Sequence, residues 1–155
     1  MSPAAGSAQR RFLIVYTDGA ARGNPGPAGA GVYIEDESGE SVEQITQYLG
    51  ETTNNVAEYR ALLLGLEHAE TLGARAVEIR ADSELMIRQM TGEYRVRNPG
   101  LQDLNRRART LERSFEHVEY VHVRRDKNRE ADRLANRAID AGRGREGGPQ
   151  GSEKI

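Results

Sequence analysis

Four acidic residues carry the chemistry available to this chain: Asp18 in Thr17-Asp18-Gly19, Glu58 after Thr53-Asn54-Asn55, Asp82 in Asp82-Ser83, and Asp132 after Asn128. Carboxylates in a chain with no cysteine and no evident nucleophile suit hard divalent cations, above all Mg²⁺. Taken singly, each acid has a purely structural explanation. Asp18-Gly19 reads as a turn. Asn55 and Glu58 have the spacing of a capping box. Asp82 or Ser83 fits a helix cap, and Asp132 suits the dipole of a first helical turn. Jointly they point elsewhere. Asp18 follows the most apolar run in the chain, and Asp132 stands three residues before Ala135 and seven before Ile139, beside an apolar helix face. Carboxylates against a core are costly unless a cation compensates them. With phosphate completing the cation's shell, the first reading is a metal-dependent enzyme acting on phosphate.

The elements that must position these acids follow from periodicity. Residues 11–17 are a nearly continuous apolar run, the pattern of a buried central strand that ends at Asp18. After the loop Gly23-Asn24-Pro25-Gly26-Pro27 come short strands at 31–34 and 41–49, a meander. Residues 55–72 repeat apolar side chains at a helical period and close at Gly73. A fourth strand is expected around Val77 to Ala81, helices at 83–90 and 101–115, a fifth strand at 118–123, and a last helix at 129–141 that stops at Gly142. The order β-β-β-α-β-α-α-β-α predicts an α/β fold with a five-stranded mixed sheet, an antiparallel meander joined to parallel strands. Strand ends and helix starts then converge at one sheet edge, where sites are usually built. One domain is expected over 11–141, with flexible ends at 1–10 and 142–155.

The chain has 155 residues and a net charge of −2, but the charge is uneven. Glu35 to Glu70 holds nine acids and one base, whereas Arg88 to Arg137 holds thirteen bases and eight acids. A basic half predicts an anionic partner met by one face, although ion pairs along solvated helices would give the same count. With no apolar run near the roughly 18 residues of a membrane span, and no apolar leader in Met1 to Arg11, a cytoplasmic monomer without membrane contact is expected.

The motifs Tyr-Thr-Asp-Gly at 16–19, Gly-Asn-Pro-Gly-Pro at 23–27, Thr-Asn-Asn-Val-Ala-Glu-Tyr at 53–59, Ala-Asp-Ser at 81–83 and Asn-Arg-Glu-Ala-Asp-Arg-Leu-Ala-Asn at 128–136 together resemble type 1 ribonuclease H, in order and spacing, over 11–141. The resemblance implies the ribonuclease H-like fold. It also implies an endonuclease that hydrolyses the RNA strand of RNA–DNA hybrids and leaves 5′-phosphate and 3′-hydroxyl ends. Asp18, Glu58, Asp82 and Asp132 fall on the family's catalytic carboxylates, which hold two Mg²⁺ ions with substrate (Mn²⁺ being the alternative). Asn24, Asn54 and Asn55 fall on positions that read minor-groove 2′-hydroxyls, and Thr53 on a DNA-strand phosphate contact.

Three departures narrow the subgroup. The segment Val123 to Asn128 is short and lacks the histidine of many members, which makes Arg125 the candidate there; His122 reads as a strand residue. Glu84 stands where a substrate-contacting glutamine is common. The long basic protrusion is missing, leaving Tyr94, Arg95 and Arg97 as a small DNA-strand contact. Cleavage of double-stranded RNA as well, and a non-catalytic nucleic-acid-binding module on the same fold, remain as alternatives. Four retained acids argue against the binder, since they repel phosphate.

Overall fold

The computed structural model describes residues 12–153. The N-terminal stretch expected to be flexible lies outside the described residues. Strands β1 (Phe12–Ala21), β2 (Gly26–Asp36) and β3 (Ser41–Thr52) form the meander; α1 (Asn54–Thr71) leads to β4 (Ala76–Ala81); α2 (Glu84–Met90) and α3 (Pro99–Glu112) lead to β5 (His117–His122); and a 3₁₀ turn (Arg125–Lys127) opens α4 (Arg129–Glu153). The sheet order is β3-β2-β1-β4-β5. β1–β2 and β2–β3 are antiparallel, while β1–β4 and β4–β5 are parallel. The mixed five-stranded sheet and the element order are as the sequence predicts.

One face of the sheet packs Leu13, Val15, Val32, Ile34, Val77 and Ile79 against Leu62 and Leu66 of α1, with Met86, Met90 and Leu104 closing the core. The other face lies under α4 through Ala131, Leu134, Ala135, Ala138 and Ile139. That helix comes very close. A Cβ on Gly31 of β2 would fall 2.3 Å from the Ala131 carbonyl oxygen, so only glycine lets α4 rest directly on the strand.

Four boundary expectations are corrected. Asp18 does not end β1. It sits inside the strand opposite Gly31, and pairing continues to Ala21 opposite Ala28. The small residues of 26–31 hide a strand from any alternation test, because they are chosen for helix approach and not for a two-faced pattern. Pro99 and Gly100 begin α3 behind an Asn98 cap whose side chain accepts from the Leu101 N–H; proline suits a first turn. Gly142 does not stop the last helix, which runs to Glu153 through the segment expected to be a tail. Gly142 serves packing instead, since a Cβ there would lie 2.1 Å from Cγ of Tyr48 on β3. Among the described residues, no helix is long and apolar enough to cross a membrane.

Candidate active site

Four elements deliver the four carboxylates to one cleft. β1 delivers Asp18. Parallel pairing places the end of β4 beside it, so Asp82 emerges one residue past the strand. Ser83, not Asp82, caps α2, its Oγ accepting from the Met86 N–H at 3.2 Å, which leaves the Asp82 carboxylate uncommitted. Thr53, not Asn55, caps α1 by accepting from the Val56 N–H at 3.2 Å. Glu58 therefore does not close its own helix. Its Oε1 accepts from the Gly19 N–H at 3.1 Å, across 39 positions of sequence, and so pins α1 to β1 beside Asp18. Asp132 comes from the first turn of α4, where the Asp132 N–H donates to the Asn128 carbonyl.

One carboxylate oxygen each of Asp18, Glu58 and Asp82 lies within 4.8 Å of the others. Asp132 joins them in the wall of an open cleft of about 530 Å³. The crowding shows in protonation. Burial pushes the Asp18 carboxyl far up, and the charges of Glu58, Asp82 and Asp132 push it further. Burial likewise raises Glu58, with Asp82 adding to it; the Gly19 N–H and the Arg125 guanidinium pull the other way. Desolvated like charges that each favour protonation mark a place that a bound cation would stabilise. Oxygen-only donors converging from rigid elements fit hard divalent ions, and the charges they lack are those such ions carry.

The remaining expected site residues fall into two groups. Arg125 is exposed in the 3₁₀ turn and lines the cleft with Asn54, Asn55, Ser83 and Arg124. His122 is a strand residue as read, though the last of β5 and not an internal one, and its exposed side chain also lines the cleft. Asn24 and Thr53 are not among the lining residues, but Asn24 interlocks with the lining residue Asn54, the Asn24 Oδ1 accepting from the Asn54 N–H at 2.9 Å and the Asn54 Oδ1 from the Ala21 N–H at 3.0 Å. Thr53 sits behind them as the cap. Glu84, Tyr94, Arg95 and Arg97 are not among the cleft's lining residues. Glu84 instead accepts from Arg88 at 2.8 Å, Arg88 also pairs with Glu93, and its guanidinium lies over the Tyr94 ring, 5.6 Å from the centroid. Arg95 and Arg97 are exposed on the loop before α3.

Sequence reading left Asn128 without a role. It is buried, and its Nδ2 donates to the Thr17 carbonyl at 3.0 Å, which fastens the 3₁₀ turn and the start of α4 to β1 next to Asp18. Its place just ahead of a helix was the available signal.

With this geometry in view, the relatives are informative. Residues 16–138 match the family described as "Reverse transcriptase-like". The chain is 44% identical over 131 residues to "Bifunctional protein Rv2228c" of Mycobacterium tuberculosis, covering 83% of this chain and 36% of that protein. It is 42% identical over 125 residues to "Ribonuclease HI" of Halobacterium salinarum, covering 81% of this chain and 63% of that one. The chain thus spans less than two thirds of these curated relatives. A solved structure, LC11-RNase H1 in complex with RNA/DNA hybrid, superposes with a TM-score of 0.81 at 46% identity, covering 84% of this chain and 98% of that one. By sequence, fold and the convergence of its carboxylates, the chain belongs to the type 1 ribonuclease H family.

Proposed function

We propose that the protein is an endoribonuclease that hydrolyses the RNA strand of RNA–DNA hybrids at the carboxylate cleft, leaving 5′-phosphate and 3′-hydroxyl ends. The observation that carries this reading is the convergence of Asp18, Glu58 and Asp82 within 4.8 Å, with Asp132 alongside. These four residues would hold two Mg²⁺ ions, which when bound would supply a nucleophile at neutral pH and neutralise charge on the scissile phosphate. The rest falls to the chain itself. Gly19 and Asn128 hold Glu58 and the α4 start against β1, so the donors stay fixed. Arg125, exposed at the cleft rim, is placed to meet a phosphate or the departing group. Asn54 and Asn55 line the cleft, with Asn24 bonded to Asn54 beside it, and these three would meet the 2′-hydroxyls that only the RNA strand of a hybrid carries. The capped turn at Thr53, and more distantly Tyr94, Arg95 and Arg97, would meet the DNA strand.

Matched hybrid, RNA duplex and DNA duplex, each incubated with Mg²⁺ and with EDTA, test the reading. Cleavage confined to the RNA strand of the hybrid and abolished by EDTA is expected. Comparable cleavage of the RNA duplex would mean that the second strand need not be DNA, since the 2′-hydroxyls met by the asparagines are present in both substrates. Binding without cleavage of any substrate would leave a nucleic-acid-binding module.

A further inference from the structure

Arg22 follows β1 in the short loop that carries Asn24, yet its guanidinium reaches across to α4. One amine donates to Asp140 Oδ1 at 2.6 Å; the other donates to the Asn136 carbonyl at 3.3 Å and to Asn136 Oδ1 at 3.1 Å. On its far side, Asn136 Nδ2 donates to the Asp132 carbonyl at 3.0 Å and to Asp132 Oδ1 at 3.4 Å. The chemistry of these groups fixes their direction. Arginine only donates, so the amide oxygen must face Arg22 and the amide nitrogen must face Asp132. An amide turned the other way would set oxygen against carboxylate oxygen. Asp132 is also the acid that stands outside the tight group of three, so its placement depends on something beyond that group.

We propose that Asn136 and Arg22 are positioning residues for Asp132. Asn136 orients the carboxylate, and Arg22 fixes the polarity of the Asn136 amide while tying the Asn24 loop to the same helix. The inference rests on the metal-site reading above. A plain tether between loop and helix is the competing explanation, and the exposed Arg22–Asp140 ion pair would serve as one by itself. The two predict different variants to be harmful.

The test compares Asn136→Ala, Arg22→Lys and Asp140→Ala with wild type in three measurements: kcat and KM on hybrid across Mg²⁺ concentration, calorimetric titration of Mg²⁺ into the complex with an uncleavable hybrid (hybrid alone subtracted), and the thermal midpoint in EDTA. Loss of a group that orients a ligand typically weakens metal binding by roughly 10-fold or more, and that is expected for Asn136→Ala with KM for hybrid little changed. Arg22→Lys keeps a cation for Asp140 but loses the fork, so a smaller shift in the same direction is expected. Asp140→Ala should follow wild type in all three. The positioning role is overturned if Asn136→Ala leaves the Mg²⁺ midpoint unchanged, or if Asp140→Ala shifts it as much as Arg22→Lys does. Should Asn136→Ala fail to fold, the Arg22→Lys and Asp140→Ala pair still decides. A wild-type complex that takes up no Mg²⁺ overturns the metal-site reading itself, and this inference with it.

Discussion

The carboxylate cleft and the segment from Glu84 to Arg97 are both polar, yet they are built in opposite ways. In the cleft, like charges are forced together by buried backbone: a central strand, two helix starts and a buried asparagine leave Asp18 and Glu58 short of counter-charge. In the 84–97 segment, opposite charges have found one another, with Arg88 shared among Glu84, Glu93 and the ring of Tyr94. The first arrangement is unstable alone and calls for a ligand; the second is already satisfied and sits on the surface. Strain at a fixed place marks function more firmly than a run of suitable residue types.

Breaking the cleft should give the largest effect. Asp18→Asn should remove nearly all cleavage while raising the metal-free thermal midpoint by about 3 °C, since one repelling charge is gone. Rate and midpoint measured on the same preparation check this, and an active mutant would exclude Asp18 from the site. Arg125→Ala should come next, slowing kcat about 10-fold or more with KM nearly unchanged. His122→Ala should change kcat by less than about 2-fold, even though both side chains line the cleft, because a strand-end imidazole is not required by the four-carboxylate arrangement. Single-turnover rates beside KM separate the two.

The other side of the comparison predicts effects on affinity. Combining Arg95→Ala with Arg97→Ala should flatten the slope of log affinity against log salt by about two units and leave preference for hybrid intact. Asn54→Ala with Asn55→Ala should do the reverse, eroding preference for RNA over DNA at a nearly constant slope. Titrations of uncleavable hybrid in Ca²⁺ at several salt concentrations measure both. The smallest effect is expected for Arg88→Ala, whose exposed ion pairs should hardly change the thermal midpoint.

These contrasts also explain what the sequence could reveal. The element order, the mixed character of the sheet and the convergence of the four acids were legible because apolar runs and helical spacing report burial, and burial determines which chain ends meet. Asp18 inside β1, the early start of β2 and the passage of α4 through Gly142 were not legible. In each case glycine or alanine is used for close approach, which leaves no periodic trace. Arg22 and Asn136 escaped for another reason: their contact joins positions 114 apart, and neither residue type stands out locally. Glu84 was placed by analogy with a substrate contact, whereas its nearest partner is Arg88, four residues along its own helix.

The central claim is that the cleft is a cation site held in a charge-frustrated state by the fold. Because Asp18 and Glu58 ionise at higher pH in the folded chain than in the unfolded one, the folded state binds more protons from about pH 4 upward. Metal-free stability should therefore fall as pH rises through that window, and Mg²⁺ should restore it most at the alkaline end. The direct measurement is the Mg²⁺-induced shift of the thermal midpoint at pH 5.5 and pH 8. A shift that is large at pH 8, small at pH 5.5 and nearly lost in Asp18→Asn is predicted; a shift that is absent, or equal at both pH values and in the mutant, would contradict the account.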